Sequence, residues 1–329
     1  MEGTWAATSF LALLFVVVIA GLACARPERA ATSLPAATPA LSPTPTLAPT
    51  AVPTTPTLVP TATLVPTTIP TQTPAPAPIG DRSIYDRPDD SELPQIHVMY
   101  VIPVDGTDEY LDTDGTIETA IESISHWFRG QTGGLDFRWD TFEGRLDITF
   151  HRLLSKENSI TAEVAYVRDR LEREFRDACV VGLNKQYMVY YSGGSTWSCG
   201  GGAWPPLLKG VVSAIYLKGP PPNAAPYDSN TLGASPTSPA YFEFAMLHEF
   251  IHIIGIAASC APNHNLNGHV SDSPNDLMWA GDQPWELPAT LDIGGDDYFR
   301  HGKNGCPDLA QVGYIIPLPS DYWLPEGVQ

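Results

Sequence analysis

The chain has 329 residues and is strongly acidic, with 37 aspartate and glutamate residues, 18 lysine and arginine residues and a formal net charge of −19. This charge argues against nucleic acid or an anionic membrane surface as a binding partner. All of this net charge falls in residues 81–329, which are enough for one large domain with its own core.

The N-terminal residues predict export. Residues 10–25 form an uninterrupted run of apolar and small residues, which is too short for a comfortable membrane span and typical of a signal-peptide core. The run ends at residues 21–24 in a segment similar to a bacterial lipoprotein cleavage site, with Cys24 as the lipid-bearing residue. Ordinary secretion and an uncleaved anchor stopped by Arg26 and Arg29 are the alternatives. All three place the rest of the chain outside the cytoplasm.

A proline-rich stalk is predicted next. Residues 33–78 consist almost wholly of proline, threonine, alanine, leucine, valine and serine and contain no charged residue. Proline lacks the backbone N–H group and blocks helix and central-strand pairing, so such a segment is extended and solvated. We therefore expect a signal peptide or anchor over 1–25, a stalk over 26–80 and a folded domain over 81–329.

The folded part alternates strand-like and helix-like patterns. The predicted strands are residues 96–102, 137–141, 145–151, 187–191 and 211–217, the second and third joined as a hairpin at Glu143-Gly144. The predicted helices are residues 116–132, residues 161–178, and a third that has Ser238 as its N-cap and Pro239 as its first residue. Residues 192–206, rich in glycine, serine and tryptophan, are predicted as a loop.

Residues 248–252 of the third helix give the clearest indication of a functional site. Residues four apart lie on one face of an α-helix, so His248 and His252 can present two imidazole nitrogens to one metal ion. Glu249 lies beside them, where its carboxylate can reach a water on that metal without binding the metal. Two ligands, an adjacent general base and an open coordination site are the arrangement of zinc hydrolases. An amphipathic helix with two histidines on its wet side is the plain alternative.

A family resemblance follows from the residues after this segment. The pattern His-Glu-x-x-His-x-x-Gly ends at Gly255, and residues 273–279, a turn-rich segment that contains Met278 and is called the methionine turn below, come later. Together they resemble the metzincin clan of zinc metalloproteases. In that clan a third histidine follows three residues after the glycine, but here that position is Ala258. The sequence is similar to metzincin-like bacterial proteins in which a short insertion delays the third ligand to a Gly-His pair. That similarity implies His269.

The resemblance also implies a fold and further roles. The fold is α+β and of zincin type, with a mixed sheet, two backing helices and an irregular C-terminal subdomain after the active-site helix. Met278 is expected beneath the metal. An edge strand above the cleft is expected to pair with extended substrate, and residues 211–217 or the hairpin strand are the alternatives for it. His264 and Asp272 remain alternative third ligands.

Tyr298 and three other histidines have two interpretations each. Tyr298 follows the methionine turn and can donate a hydrogen bond to a developing oxyanion, or it packs in the core. His97, His126 and His151 are interpreted as ordinary structural or surface residues rather than ligands.

Cysteines and carboxylates supply the remaining candidates. The four cysteines of the domain have no C-x-x-C spacing, so disulfides rather than a structural zinc site are predicted. The preferred pairings are Cys179–Cys199 and Cys260–Cys306, the second bracing the loop that leaves the active helix. Carboxylate clusters over 105–114 and 292–297 are candidates for calcium, with solubility as the ordinary reason for such acidity.

The sequence as a whole predicts a zinc-dependent metalloendopeptidase. One zinc ion is held by His248, His252 and His269, and Glu249 is the general base. We expect a monomeric, surface-tethered lipoprotein or a secreted enzyme, with a protein or peptide substrate and membrane contact only through the N-terminal anchor. Two rivals are a zinc hydrolase of a non-peptide amide and a catalytically inactive zincin-fold domain that binds a surface. No Ser-His-Asp triad, nucleotide-binding loop or redox motif competes as the active site.

Overall fold

A computed structural model describes residues 82–182, 185–205, 207–219 and 231–325. The predicted signal peptide, Cys24 and the predicted stalk lie outside the described residues. No helix in the described ranges is long and apolar enough to cross a membrane.

Short strands and four α-helices alternate along the described chain. In chain order the strands are β1 (Gln95–Ile102), β2 (Asp136–Phe137), β3 (Thr141–Phe142), β4 (Arg145–Leu146), β5 (Ile148–Arg152), β6 (Lys185–Tyr191), β7 (Gly200–Trp204), β8 (Leu208–Tyr216), β9 (His264–Asn265), β10 (His269–Val270) and β11 (Ile315–Ile316). The α-helices are α1 (Thr116–Thr132), α2 (Glu157–Thr161), α3 (Val167–Asp177) and α4 (Tyr241–Ile253).

One five-stranded sheet is the frame of the domain, in the order β5-β1-β6-β8-β7. The first four strands are parallel, and β7 runs antiparallel to β8 at the edge. Every residue of β1 and β6 is buried, as expected for strands covered on both faces. This mixed, mostly parallel sheet with its helices confirms the predicted α+β class.

The helix α4 is buried on all sides. It packs on β7 and β8, and α1 lies beside it, where the rings of Trp127 and Phe244 meet edge to face at 5.3 Å. A helix buried on all sides belongs to a core, so α4 holds His248, Glu249 and His252 inside the domain.

Several predicted elements differ from the structure. The turn at Glu143-Gly144 joins only β3 and β4, because β5 leaves to pair with β1 in parallel. The helix predicted over 161–178 is interrupted by a 3₁₀ turn at Val164–Tyr166, so only α3 forms its second half. The predicted loop 192–206 contains β7.

The active helix begins later than predicted, at Tyr241 with Ala240 as N-cap. The Glu243 carboxylate accepts hydrogen bonds from the backbone N–H groups of Ala240 at 3.1 Å and Gly233 at 2.8 Å. The first bond satisfies the N–H group of the N-cap at the helix start, where a Ser238 N-cap was expected, and the second ties the preceding loop to the helix.

The region beyond α4 is irregular, as expected. Its described residues 254–325 form only two-residue strands and a 3₁₀ turn at Leu309–Gln311. It is tied back to the sheet domain by β11, which pairs with β2, and by the buried Arg138. The Arg138 guanidinium donates to the carbonyls of Gly313 at 2.7 Å and Ile315 at 2.8 Å.

The cysteines follow one of the two predicted pairings. Cys260 and Cys306 form a disulfide, which confirms the brace between the loop after α4 and the C-terminal region. The predicted Cys179–Cys199 pairing is wrong, because Cys179 is an exposed free thiol.

The sheet explains why Cys179 and Cys199 do not pair. Cys179 lines the same surface cavity as Lys185, where β6 begins, whereas Cys199 precedes Gly200, which pairs with Ile215 near the end of β8. The opposite ends of a strand of 7 residues such as β6 are about 20 Å apart at ~3.3 Å per residue. A disulfide needs Cα atoms within about 7 Å of each other.

Removing the disulfide should destabilise the domain. The bond closes a loop with a sequence separation of 46 residues, for which the chain-entropy model gives about 4 kcal/mol. We expect urea unfolding of a Cys260→Ser/Cys306→Ser variant to show a loss of this size. The Cys179→Ser variant is the matched control and should change the free energy of unfolding by less than about 0.5 kcal/mol. Equal free energies of unfolding for the two variants would mean that the disulfide does not stabilise the domain.

Candidate metal centre

Three histidines meet at one point of the structure. The helix α4 carries His248 and His252 one turn apart on the same face, and β10 brings His269 to them. The Nε2 atom of His252 lies 3.1 Å from that of His248 and 3.1 Å from that of His269. All three side chains are buried. The structure thus brings together the two helical histidines and the preferred third ligand of the sequence analysis.

Hydrogen bonds on the outer ring nitrogens determine which nitrogen faces the centre. His248 donates its Nδ1 proton to the Leu277 carbonyl at 2.6 Å, and His269 donates its Nδ1 proton to the Leu266 carbonyl at 2.8 Å. A carbonyl can only accept, so in each neutral ring Nε2 carries the free lone pair. The buried Nδ1 atom of His252 has no hydrogen-bond partner in the described part of the chain.

Burial keeps the three rings neutral. It lowers the pKa of His248 to about 3 and the pKa of His269 to about 4, and it lowers the pKa of His252 well below its ordinary value. The Nε2 lone pairs of His248 and His269 both face the His252 Nε2 atom, which can donate at most one proton, whereas a cation between the three nitrogens would engage all three lone pairs. Zinc binds imidazole nitrogen at about 2.0–2.1 Å in a tetrahedron, which separates two ligand nitrogens by roughly 3.3 Å. The donor set therefore fits zinc, and the three histidines form a candidate metal site.

The turn after α4 explains how His269 replaces a histidine at Ala258. The chain leaves the helix at Gly255, which has a φ of 72°, and returns in the β9–β10 hairpin. Gly268 has a φ of 79°, and a β-carbon there would overlap the indole of Trp204. Only glycine fits both conditions without strain, so the Gly-His pair is required where the hairpin passes Trp204.

The two alternative third ligands lie outside the cluster. The ring of His264 stacks on Trp204 with a centroid separation of 6.3 Å, and its Nδ1 atom donates to the Ala257 carbonyl at 2.9 Å. Asp272 is exposed. Neither belongs to the group of side chains that surround the candidate metal position.

The methionine turn supports two of the three histidines through its backbone. Besides the bond from His248 to the Leu277 carbonyl, the Met278 carbonyl accepts from the N–H of Val270 at 2.9 Å, the residue after His269. The Met278 side chain is fully buried. A shift of this turn would therefore move His248 and His269 together.

Asp276 stabilises the methionine turn, and Tyr298 donates a hydrogen bond to Asp276. The buried Asp276 carboxylate accepts from the Met278 N–H at 2.7 Å, the Ile293 N–H at 2.7 Å and the Tyr298 hydroxyl at 2.8 Å. Tyr298 is fully buried, and its oxygen also accepts from the Asp292 N–H at 2.8 Å. The predicted oxyanion role of Tyr298 is wrong, because its hydroxyl proton is committed to Asp276.

Asp276 should make the free energy of unfolding depend on pH. Burial outweighs its three hydrogen-bond donors and raises its pKa from 3.8 to about 7, so the folded state binds the proton more tightly than the unfolded state does. Its contribution to the free energy of unfolding is therefore largest below pH ~4 and declines, by up to about 4 kcal/mol, as the pH rises to about 7. Subtracting the stability of an Asp276→Asn variant, measured metal-free at each pH, isolates this change. A difference that grows with pH would mean that the three donors outweigh burial.

Glu249 is placed between the histidines and the edge strand. It is buried, and it accepts a hydrogen bond from the Gly202 backbone N–H. Burial raises its pKa to about 8, against the lowering effects of that bond and of the Arg168 charge. A β-carbon on Gly200 would lie 2.8 Å from the Glu249 Cγ atom, and one on Gly202 would overlap the Glu249 carbonyl. The glycine run therefore lets β7 lie directly against α4.

A cavity of about 230 Å³ opens at this edge of the sheet. Glu249, His252 and His269 lie in its wall, and β7 forms one rim. The edge strand above the candidate site is thus β7, and both alternatives offered for it, residues 211–217 and the hairpin strand, are wrong. Its glycines gave no strand signal, because glycine is depleted in strands.

A separate group of carboxylates surrounds Lys185 and His97. The Lys185 ammonium lies 2.8 Å from Asp86, 2.6 Å from Asp89 and 2.6 Å from Asp140, and His97 bonds to Asp140 at 2.6 Å, which is the structural role expected of His97. His126 is exposed, and His151 packs edge to face on Phe175.

Several carboxylates in the two candidate calcium regions already form ion pairs or hydrogen bonds. In the cluster 105–114, Asp108 and Asp112 both pair with Arg82. In the cluster 292–297, the Asp292 carboxylate accepts three backbone N–H bonds, and Asp297 accepts from Asn263. Calcium binding at either place stays a prediction.

Comparison with known proteins finds little similarity in sequence. No protein-family model matches the chain, and no curated protein matches it. Among solved structures, metalloproteinase-II from Bacteroides fragilis is similar at a TM-score of 0.31 and 17% identity, over 68% of this chain and 56% of that chain. This chain thus spans just over half the length of that protein. The likeness is distant, and the functional conclusion rests on the geometry of the three histidines and Glu249.

Proposed function

We propose that this protein is a zinc-dependent metalloendopeptidase that hydrolyses peptide bonds outside the cytoplasm. The observation that carries the proposal is that His248, His252 and His269 converge, and that His252 and His269 lie with Glu249 in the wall of one cavity. Three nitrogen ligands and a fourth, open position are the composition of a catalytic zinc site rather than a structural one. The three neutral rings would hold the ion through Nε2.

The protein residues then perform the proton transfers. Zinc, when bound, acts as a Lewis acid and lowers the pKa of a coordinated water to about 7. The Glu249 carboxylate accepts a proton from the attacking water and afterwards donates it to the leaving amine. The raised pKa of Glu249 favours its holding that proton between the two steps, and a nearby cation moves the pKa back toward the ionised form.

The edge of β7 supports a peptide as the substrate. β7 is the last strand of the sheet, so its outer N–H and C=O groups lie at the rim of the cavity. An extended peptide adds to such an edge through main-chain hydrogen bonds. This places its carbonyl groups beside Glu249 without requiring any particular side chain.

The disulfide supports a location outside the cytoplasm. A bond such as Cys260–Cys306 persists in oxidising compartments and is rare in the cytosol. We propose that residues 1–25 direct export and that the domain is tethered through Cys24 and the stalk, or secreted.

A chelation experiment tests the proposal. The purified full-length chain should cleave internal bonds of reduced, denatured casein, lose this activity with 1,10-phenanthroline and regain it on addition of zinc. Bound zinc with no cleavage of casein or small peptides would favour a surface-binding domain. Cleavage restricted to small acylated amides would favour a non-peptide amidase.

A further inference from the structure

The cavity at the candidate site continues around the edge of the sheet. A β-carbon on Gly200 would lie 2.8 Å from the Glu249 Cγ atom in α4, whereas one on Gly201 would lie 3.1 Å from the Arg168 Cβ atom in α3. Neighbouring residues of a strand face opposite sides, so α4 and α3 cover opposite faces of β7. Because β7 has no side chain at these positions or at Gly202, one cavity reaches both faces.

The wall on the α3 face is apolar and accessible. It contains Tyr166, just before α3, together with Leu207, just before β8, and Leu208, the first residue of β8. These side chains are 44%, 67% and 39% exposed, respectively. Large apolar side chains exposed together mark a binding surface, and this surface is continuous with the cavity that contains Glu249.

The charged groups of this wall neutralise one another. Arg168 is buried and pairs with Asp169 and with Glu172. Among the described residues that line the cavity, the carboxylates are those of Asp169 and Glu249. Glu249 lies on the α4 face. The α3 face therefore offers no unpaired charge that would attract a charged side chain.

We propose that Tyr166, Leu207 and Leu208 form a subsite for a large apolar side chain of an extended peptide that pairs with β7. The proposal rests on the proposed function. Alternate residues of a paired peptide direct their side chains to opposite faces of the sheet. A residue that flanks those facing Glu249 therefore places its side chain on this wall. Burying leucine or phenylalanine there should give a preference of about tenfold or more over lysine or aspartate.

Peptide scanning tests the subsite by binding as well as by cleavage. Fluorescein-labelled, alanine-based octapeptides carry leucine, phenylalanine, lysine or aspartate at one position, which is moved along the peptide. Their cleavage by the wild-type chain is measured, and their affinity for the zinc-loaded Glu249→Gln variant is measured by fluorescence anisotropy. The Leu208→Asp variant adds a carboxylate to the wall. The Leu154→Asp variant, changed at a residue 87% exposed and outside the cavity, is the matched control.

We expect one position at which leucine and phenylalanine bind and react at least about tenfold better than lysine and aspartate. Leu208→Asp should remove this preference and favour lysine, whereas Leu154→Asp should leave it unchanged. Equal values for all four peptides, or preferences that Leu208→Asp does not alter, would overturn the subsite. Selective binding by Glu249→Gln with no cleavage by wild type would preserve the subsite and refute the peptidase. Neither binding nor cleavage would refute both.

Discussion

Replacing Glu249 by glutamine is expected to reduce kcat for peptide hydrolysis by about 10²–10⁴-fold, the range for a positioned general base, while the protein retains its zinc. Glutamine has nearly the same shape and keeps an oxygen to accept the Gly202 N–H, but it cannot take up a proton at neutral pH. The variant should fold normally, because burial already disfavours the charged form of Glu249.

Stopped assays with a quenched fluorogenic peptide, paired with zinc analysis of the same samples, measure this effect. Glu122→Gln is the matched control, because Glu122 is an exposed glutamate on α1, and this change should leave both quantities unaltered. Activity of Glu249→Gln within threefold of wild type would remove Glu249 from the mechanism. Loss of zinc from the variant would mean that Glu249 holds the metal rather than moving a proton.

Replacing His269 by alanine should weaken zinc binding by more than about 100-fold, which exceeds the usual cost of losing only a partner of a ligand. Two helical histidines alone leave the ion with too few protein ligands for a stable site. The expected zinc content after dialysis against a competing chelator is one ion per chain for wild type and nearly none for His269→Ala.

His264→Ala is the discriminating control for this second result. The change removes a stacked ring near Trp204 but no member of the histidine cluster, so zinc should be retained. Asp272→Ala should behave in the same way. Loss of zinc from His264→Ala with retention in His269→Ala would mean that the third ligand was assigned to the wrong residue.

Local periodicity was enough to predict the helical half of the site. The four-residue spacing of His248 and His252 determines that they share a face, and Glu249 follows from the same geometry. His269 could not be derived from spacing, because the glycine turn at Gly255 and the hairpin that follows set its position. The resemblance to a Gly-His insertion led to it instead.

Other features depend on contacts that no local pattern encodes. β7 was missed because its glycines are selected by the close approach of α4 rather than by strand propensity. Asp276 and Tyr298 form a bond between residues 22 positions apart, and its effect is to fix the methionine turn. Cys179 and Cys199 are near in sequence but lie at opposite ends of the sheet.

Zinc K-edge X-ray absorption on the purified full-length chain reports the ligands of the metal site itself. We expect one zinc ion per chain with three imidazole nitrogens at about 2.0–2.1 Å and one further light-atom ligand. In the His269→Ala variant, any residual zinc should show only two imidazoles. Absence of zinc after loading, or a first shell in which sulfur or carboxylate replaces the third imidazole in the wild-type chain, would contradict the three-histidine site.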